Sequence, residues 1–129
     1  GVPMAQALDE FIQDAKDAKF MCAHNLPFDK RMLIYEMSIR FGGREEAEPY
    51  VQLFAAERCI DTMKATVNYV KAPFPSGRRG YKWPQLSDLR EKLIEDGRTF
   101  SDFRAHDANE DVRCLRECHE HLMDMGLMN

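Results

Sequence analysis

No apolar run in this chain approaches the roughly 20 residues that a membrane-spanning helix needs, and no signal peptide is visible. A surplus of positive charge is also missing. The 129 residues carry 18 Lys and Arg against 22 Asp and Glu, a net charge of −4, and the pI is about 5.6. That balance argues against non-specific nucleic-acid binding by bulk charge. It leaves room for an acidic, cation-loaded site that acts on nucleic acid, because bound cations reverse the local sign. There is no disulfide framework either: the four cysteines are not spaced like those of a small secreted scaffold. Cys22 and Cys59 sit in apolar, strand-like stretches and are expected as buried thiols. Cys114, Cys118 and His121 fall at i, i+4 and i+7, but no fourth zinc ligand is evident, and a reduced, cytosolic helix flank is the preferred reading. Repeats, low-complexity segments and dividing linkers are lacking too, which predicts one domain over 1–129 with a single core. Hydrophobic residues at 44% and charged residues at 31% are ordinary for a globular protein.

What the chain does have is concentrated in His106-Asp107-Ala108-Asn109-Glu110-Asp111, one imidazole and three carboxylates where a helix should begin. Val112, Leu115, His119 and Leu122 follow at spacings of 3, 4 and 3, the apolar face of a helix. Asp107 suits the N-cap, and Glu110 three residues on completes a capping-box pattern. Asp111 then lies in the first or second turn and His106 just outside. A carboxylate at a helix start stays ionised, and a nearby histidine can take a proton near neutral pH. Metal plus base is one reading; a capped helix with a surface histidine is the other.

Met4 to Ala18 reads as a first helix, with Ala7, Leu8, Phe11, Ile12 and Ala15 at helical spacing. A short buried strand follows over Lys19–Ala23. Asn25 can cap the next helix and Pro27 suits its first turn. Phe28, Met32, Tyr35 and Ile39 continue it, and Gly42-Gly43 stops it. Asp29 therefore lies at a helix start just after a strand, where open α/β sheets bind ligands. Glu45 to Ala56 forms a short polar helix or loop. A second strand spans Arg58–Asp61, a helix Met63–Val70, and a further helix starts near Leu86 and ends at Gly97. The last helix runs from about Asp107 to Met125. Between them, Pro73–Pro84 is a loop with three prolines, two glycines, Arg78, Arg79 and Lys82, beside Tyr81 and Trp83. It can grip phosphates and stack bases, or be a solvated turn with Trp83 tucked into the core; burial of Trp83 is favoured. The eight methionines are read as packing.

Two of these stretches resemble a known family. His24-Asn25-Leu26-Pro27-Phe28-Asp29 is similar to the second motif of the DEDDh exonucleases, and His106 to Asp111 is similar to their third. Cys59 to Met63 and Tyr81 to Leu86 look like connecting segments of the branch related to the DNA polymerase III epsilon-subunit. The resemblance runs in the family's order from about Gly1 to Gly126. It implies a ribonuclease H-like α/β fold and two-metal removal of nucleotides from a 3′ end. Mg²⁺ or Mn²⁺ would be the two ions, as hard oxygen ligands suit. By resemblance, Asp29 and Asp111 are metal ligands and His106 the general base. His24, Asn25, Phe28, Arg78, Arg79 and Lys82 are candidate substrate contacts. The implied partners are a nucleic-acid 3′ end, DNA ahead of RNA, and a polymerase in replication or repair, with cytoplasmic location.

One family feature is missing. The family's first strand carries Asp-x-Glu, and the only carboxylates before Asp29 are Asp9, Glu10, Asp14 and Asp17, all within the first helix. The fold is therefore expected to be incomplete, metal affinity poor, and the chain weak or inactive alone. An incomplete sheet also exposes an edge, which predicts self-association. Two alternatives follow: a catalytically inactive exonuclease-like module that binds nucleic acid or protein, and an all-helical metal phosphohydrolase built on His24, His106-Asp107 and Asp124, against which the strand-like runs speak.

Overall fold

The computed structural model describes residues 2–104 and 107–128. They form a mixed α/β chain, mostly helical, with one two-stranded parallel sheet. Contacts divide it into two compact units, Gly1–Asp61 and Thr62–Asn129, and each has its own apolar cluster.

The first unit opens with helix α1 (Met4–Asp17), which buries Leu8, Ile12 and Ala15, the expected stripe. Strand β1 (Met21–Ala23) leads into helix α2 (Leu26–Phe41), then helix α3 (Arg44–Val51), two 3₁₀ turns and strand β2 (Cys59–Asp61). Parallel pairing needs a crossover of a dozen or more residues, which α2 and α3 supply. The register is Met21 to Cys59, Cys22 to Ile60 and Ala23 to Asp61. Both strands lie within the stretches read from the sequence. The core joins α1 to Met37, Ala47, Leu53 and Phe54, with Phe11 stacked on Phe54 and Phe41 on Tyr50. Arg58 donates to the carbonyls of Ala15 and Ala18 at 2.6 and 2.9 Å, tying the end of α1 to the start of β2. Gly42, at φ 95°, ends α2; its N–H and that of Gly43 both bond to the Ser38 carbonyl.

Helix α2 departs from the expected pattern. Its stripe Phe28, Met32, Tyr35 and Ile39 is exposed, Tyr35 and Ile39 by more than 60%, while Met37 on another face is buried. Met4, Met32 and Met123 are exposed as well, so packing accounts for only part of the methionines. Cys22 and Cys59 are half-buried rather than buried, because the sheet has only two strands and covers neither fully.

In the second unit, the helix expected over Met63–Val70 is two single turns, α4 (Thr62–Ala65) and α5 (Val67–Val70). The break is at Thr66, whose buried hydroxyl donates to the Thr62 carbonyl, 2.6 Å away, a local bond that competes with a continuous helix. Helix α6 (Leu86–Glu95) buries Leu89 and Leu93. It packs against α7 (Ala108–Asp124) through Cys114, Cys118 and Leu122. The expected α7 face is therefore rotated: Val112 is 67% exposed, and the two cysteines take the core positions as small apolar residues.

Candidate functional site

Asp29 stands in the first turn of α2, three residues beyond the turn that follows β1. That turn is built across the sheet. Asn25 sits in the left-handed region at φ 77° and its side chain does not cap the helix. Asp61, at the end of β2, does so instead: its two carboxylate oxygens accept from the N–H groups of Asn25 and Leu26, each at 3.1 Å. A carboxylate on the unpaired N–H groups of a helix start is held by direct hydrogen bonds and by the helix dipole.

This arrangement sets the electrostatics of Asp29. Although the residue is exposed over more than a third of its surface, the protein around its carboxyl displaces enough water to raise its pKa. The nearby Asp61 raises it further, and His24 partly offsets both. Cys22 is pushed up to about 11 by burial and by Asp61, so at neutral pH it is a thiol and a poor nucleophile. In the sequence Asp61 stands out only as the last residue of the second strand. The only signal for it was its position, at the end of a strand paired in register with the strand that precedes Asp29.

Next to Asp29 lies a cleft of about 410 Å³, walled by Met21 and Cys22 of β1 with Phe11, Phe28, Met32 and Phe54. Its lining is apolar apart from Asp29.

Asp111 is in the first turn of α7, and its N–H bonds to the Asp107 carbonyl at 2.8 Å. Asp107 is the expected N-cap and accepts from Asn109 and Glu110 N–H at 3.0 and 3.2 Å. Glu110 pairs with Arg113. His106 lies outside the described residues. The structure thus sets His24, Asp29 and Asp61 near one another in the first unit, and places Asp111 in the second.

Among the described residues no group of three or more His, Cys, Asp or Glu is arranged to hold a metal ion. A hard divalent cation takes about six oxygen ligands, and Asp61 already spends both oxygens on backbone N–H groups. At this end of the sheet Asp61 is committed to the start of α2, and Asp29 is the acid that borders the cleft. His121, once a candidate beside the cysteines, is engaged elsewhere: Arg98 donates to its Nδ1 at 2.9 Å, and its Nε2 lies 2.7 Å from the Thr99 carbonyl. Cys114 and Cys118 are buried in the core between α6 and α7. Asp124 pairs with Arg98 and Asp107 caps α7, which, with the parallel sheet, removes the support for the all-helical phosphohydrolase.

In the loop after α5, Arg78 lies over the Phe74 ring, 4.8 Å from its centroid, Arg79 is exposed, and Lys82 pairs with Asp88 at 3.4 Å. Trp83 is 56% exposed, against the expected burial. The anchor is the next residue, Pro84, which is fully buried. No family model, curated protein or solved structure matches the chain. No helix among the described residues is long and apolar enough to cross a membrane.

Proposed function

We propose that this chain is an incomplete, ribonuclease H-like 3′–5′ exonuclease domain of the DEDDh type that acts on DNA in preference to RNA, in the reducing cytoplasm. The observation that carries the reading is the placement of Asp29: an acid of raised pKa in the first turn after a parallel strand, at the edge of an apolar cleft. Ligands in open α/β sheets bind outside the carboxyl ends of strands, and perturbed acids in clefts mark functional sites more often than chance. On this reading Asp29 and Asp111 are the acids that Mg²⁺ or Mn²⁺ would require and His106 is the proton acceptor. His24, Asn25 and Phe28 are the candidate contacts to a nucleotide, and Arg78, Arg79 and Lys82 the candidate contacts to phosphates. The cleft walls are suited to the face of a base. The 129 residues hold no Asp-x-Glu pair on a strand ahead of β1, so cleavage is expected to be slow. The free strand edges and the exposed stripe of α2 are where copies of the chain, or a polymerase, would associate.

The test is a cleavage assay on 5′-labelled single-stranded DNA and RNA in Mn²⁺. The reading expects slow shortening from the 3′ end, faster on DNA, stopped by chelation and by Asp29→Asn or Asp111→Asn separately. Shortening that survives both substitutions overturns it. A second reading, a catalytically inactive binding module, is favoured by the lack of a metal-holding cluster among the described residues. Binding of the same oligonucleotides without any shortening selects it.

A further inference from the structure

We propose that the segment Pro73–Trp83 is a preformed clamp for single-stranded nucleic acid, in which Tyr81 and Trp83 stack on bases and Arg79 meets a phosphate. Charge is the first support. The chain is acidic as a whole, yet between Asp61 and Asp88 it holds Lys64, Lys71, Arg78, Arg79 and Lys82 and no acidic residue. Lys82 is paired with Asp88, so the adjacent Arg78 and Arg79 carry the charge of the loop itself, and a polyanion is the partner that complements them.

Exposure is the second support. Tyr81 is 44% and Trp83 56% exposed, while Lys82 between them is partly buried and drawn to Asp88 at 3.4 Å. That alternation sets two large rings outward from one short stretch. Leaving both in water has no packing rationale, since the neighbouring Pro84 is fully buried and anchors the chain by itself. Aromatic rings beside cations are the usual platform for unstacked bases, whose faces are inaccessible in a duplex.

The third support is rigidity. Pro73 and Tyr81 form an antiparallel bridge, and Lys82 N–H bonds to the carbonyl of the buried Ala72 at 2.9 Å. Gly77 closes a turn onto the Phe74 carbonyl at 3.1 Å. Arg78 lies over the Phe74 ring, which leaves Arg79, unpaired among the described residues, as the cation free for a phosphate. A segment ordered before binding loses less entropy when it binds. The proposal rests on the exonuclease reading for the premises that nucleic acid is the partner and that Arg79 meets a phosphate; it does not need the chain to cut.

Trp83 is the chain's single tryptophan, so its fluorescence reports on the clamp alone. The experiment titrates the chain with an oligothymidylate in EDTA and follows Trp83 emission, with anisotropy of a labelled strand in parallel. The expected result is quenching that saturates and weakens with salt. Tyr81→Ala and Trp83→Ala should each weaken binding roughly tenfold, Trp83→Phe should bind nearly normally, and Arg79→Ala should reduce the salt dependence. All three positions are exposed, and circular dichroism checks that the variants fold. Equal quenching by the duplex of the same sequence overturns stacking. Equal quenching by heparin or poly-glutamate overturns the choice of nucleic acid, and binding unaffected by Tyr81→Ala and Trp83→Ala overturns the clamp. EDTA prevents cleavage, so loss of the exonuclease reading leaves this result standing, and 3′ shortening that proceeds unchanged in Tyr81→Ala and Trp83→Ala overturns the clamp alone.

Discussion

The two helix starts that carry the candidate acids are built in opposite ways. Helix α7 is capped by its own neighbour: Asp107 accepts from Asn109 and Glu110, two and three residues on. Helix α2 is capped from another element: Asp61 reaches the Asn25 and Leu26 N–H groups across 36 and 35 residues. The same Asp61 raises the pKa of Asp29. A local cap stabilises one helix end, whereas a distant cap couples a strand, a helix and an acid. The environment of Asp29 is therefore a property of the folded sheet and that of Asp111 a property of its own helix.

Substitutions can break that comparison, beginning with the reference for ordinary packing. Leu122→Ala, at a fully buried core position of α7, should cost about 3 kcal/mol in urea unfolding. Asp61→Ala follows at about 2 kcal/mol, because two N–H groups of α2 lose a charged acceptor. Its hydrogen-exchange signature should be loss of protection through α2 and at the β1–β2 pairing, not in α7. Asp107→Ala should cost about 1 kcal/mol, with lost protection confined to the first turn of α7. If Asp61→Ala and Asp107→Ala give equally local effects, the contrast between the two caps is wrong.

A pH series sharpens the comparison. The Asp29 pKa is raised in the folded state, so the folded protein holds that proton more tightly than the unfolded chain. The group's contribution is fully present below the unfolded value of about 3.9 and is lost as pH rises toward the folded pKa. Asp29→Asn should therefore gain stability relative to the parent as pH rises above the ordinary aspartate value of about 3.9, and denaturant midpoints from that pH upward read it. The smallest effect is expected at Val112, exposed on α7, where Val112→Ala should change stability by less than about 0.5 kcal/mol.

Much of the fold was legible because it is local. Leu8, Ile12 and Ala15 announce α1 by spacing, Gly42 announces the end of α2, and Asp107 announces the start of α7. Interactions that join distant segments were not legible. The spacing of Val112, Leu115, His119 and Leu122 marked a helix correctly and put Leu122 in the core, but it missed Cys114 and Cys118, which pack as apolar residues while Val112 is exposed. The role of Asp61 depends on a strand register that no short motif encodes. The favoured burial of Trp83 failed because Pro84 takes the anchoring position. For the candidate site, the sequence located Asp29 and Asp111 at helix starts, and the structure added the carboxylate that shapes one of them.

The acid pair at the sheet's end is tested most directly by a carbon-13 NMR titration of the Asp29 carboxyl in the parent and in Asp61→Asn. The account requires a pKa above the ordinary aspartate value of about 3.9 that falls when the Asp61 charge is removed. An Asp29 that titrates at or below the ordinary value, unchanged by Asp61→Asn, contradicts it.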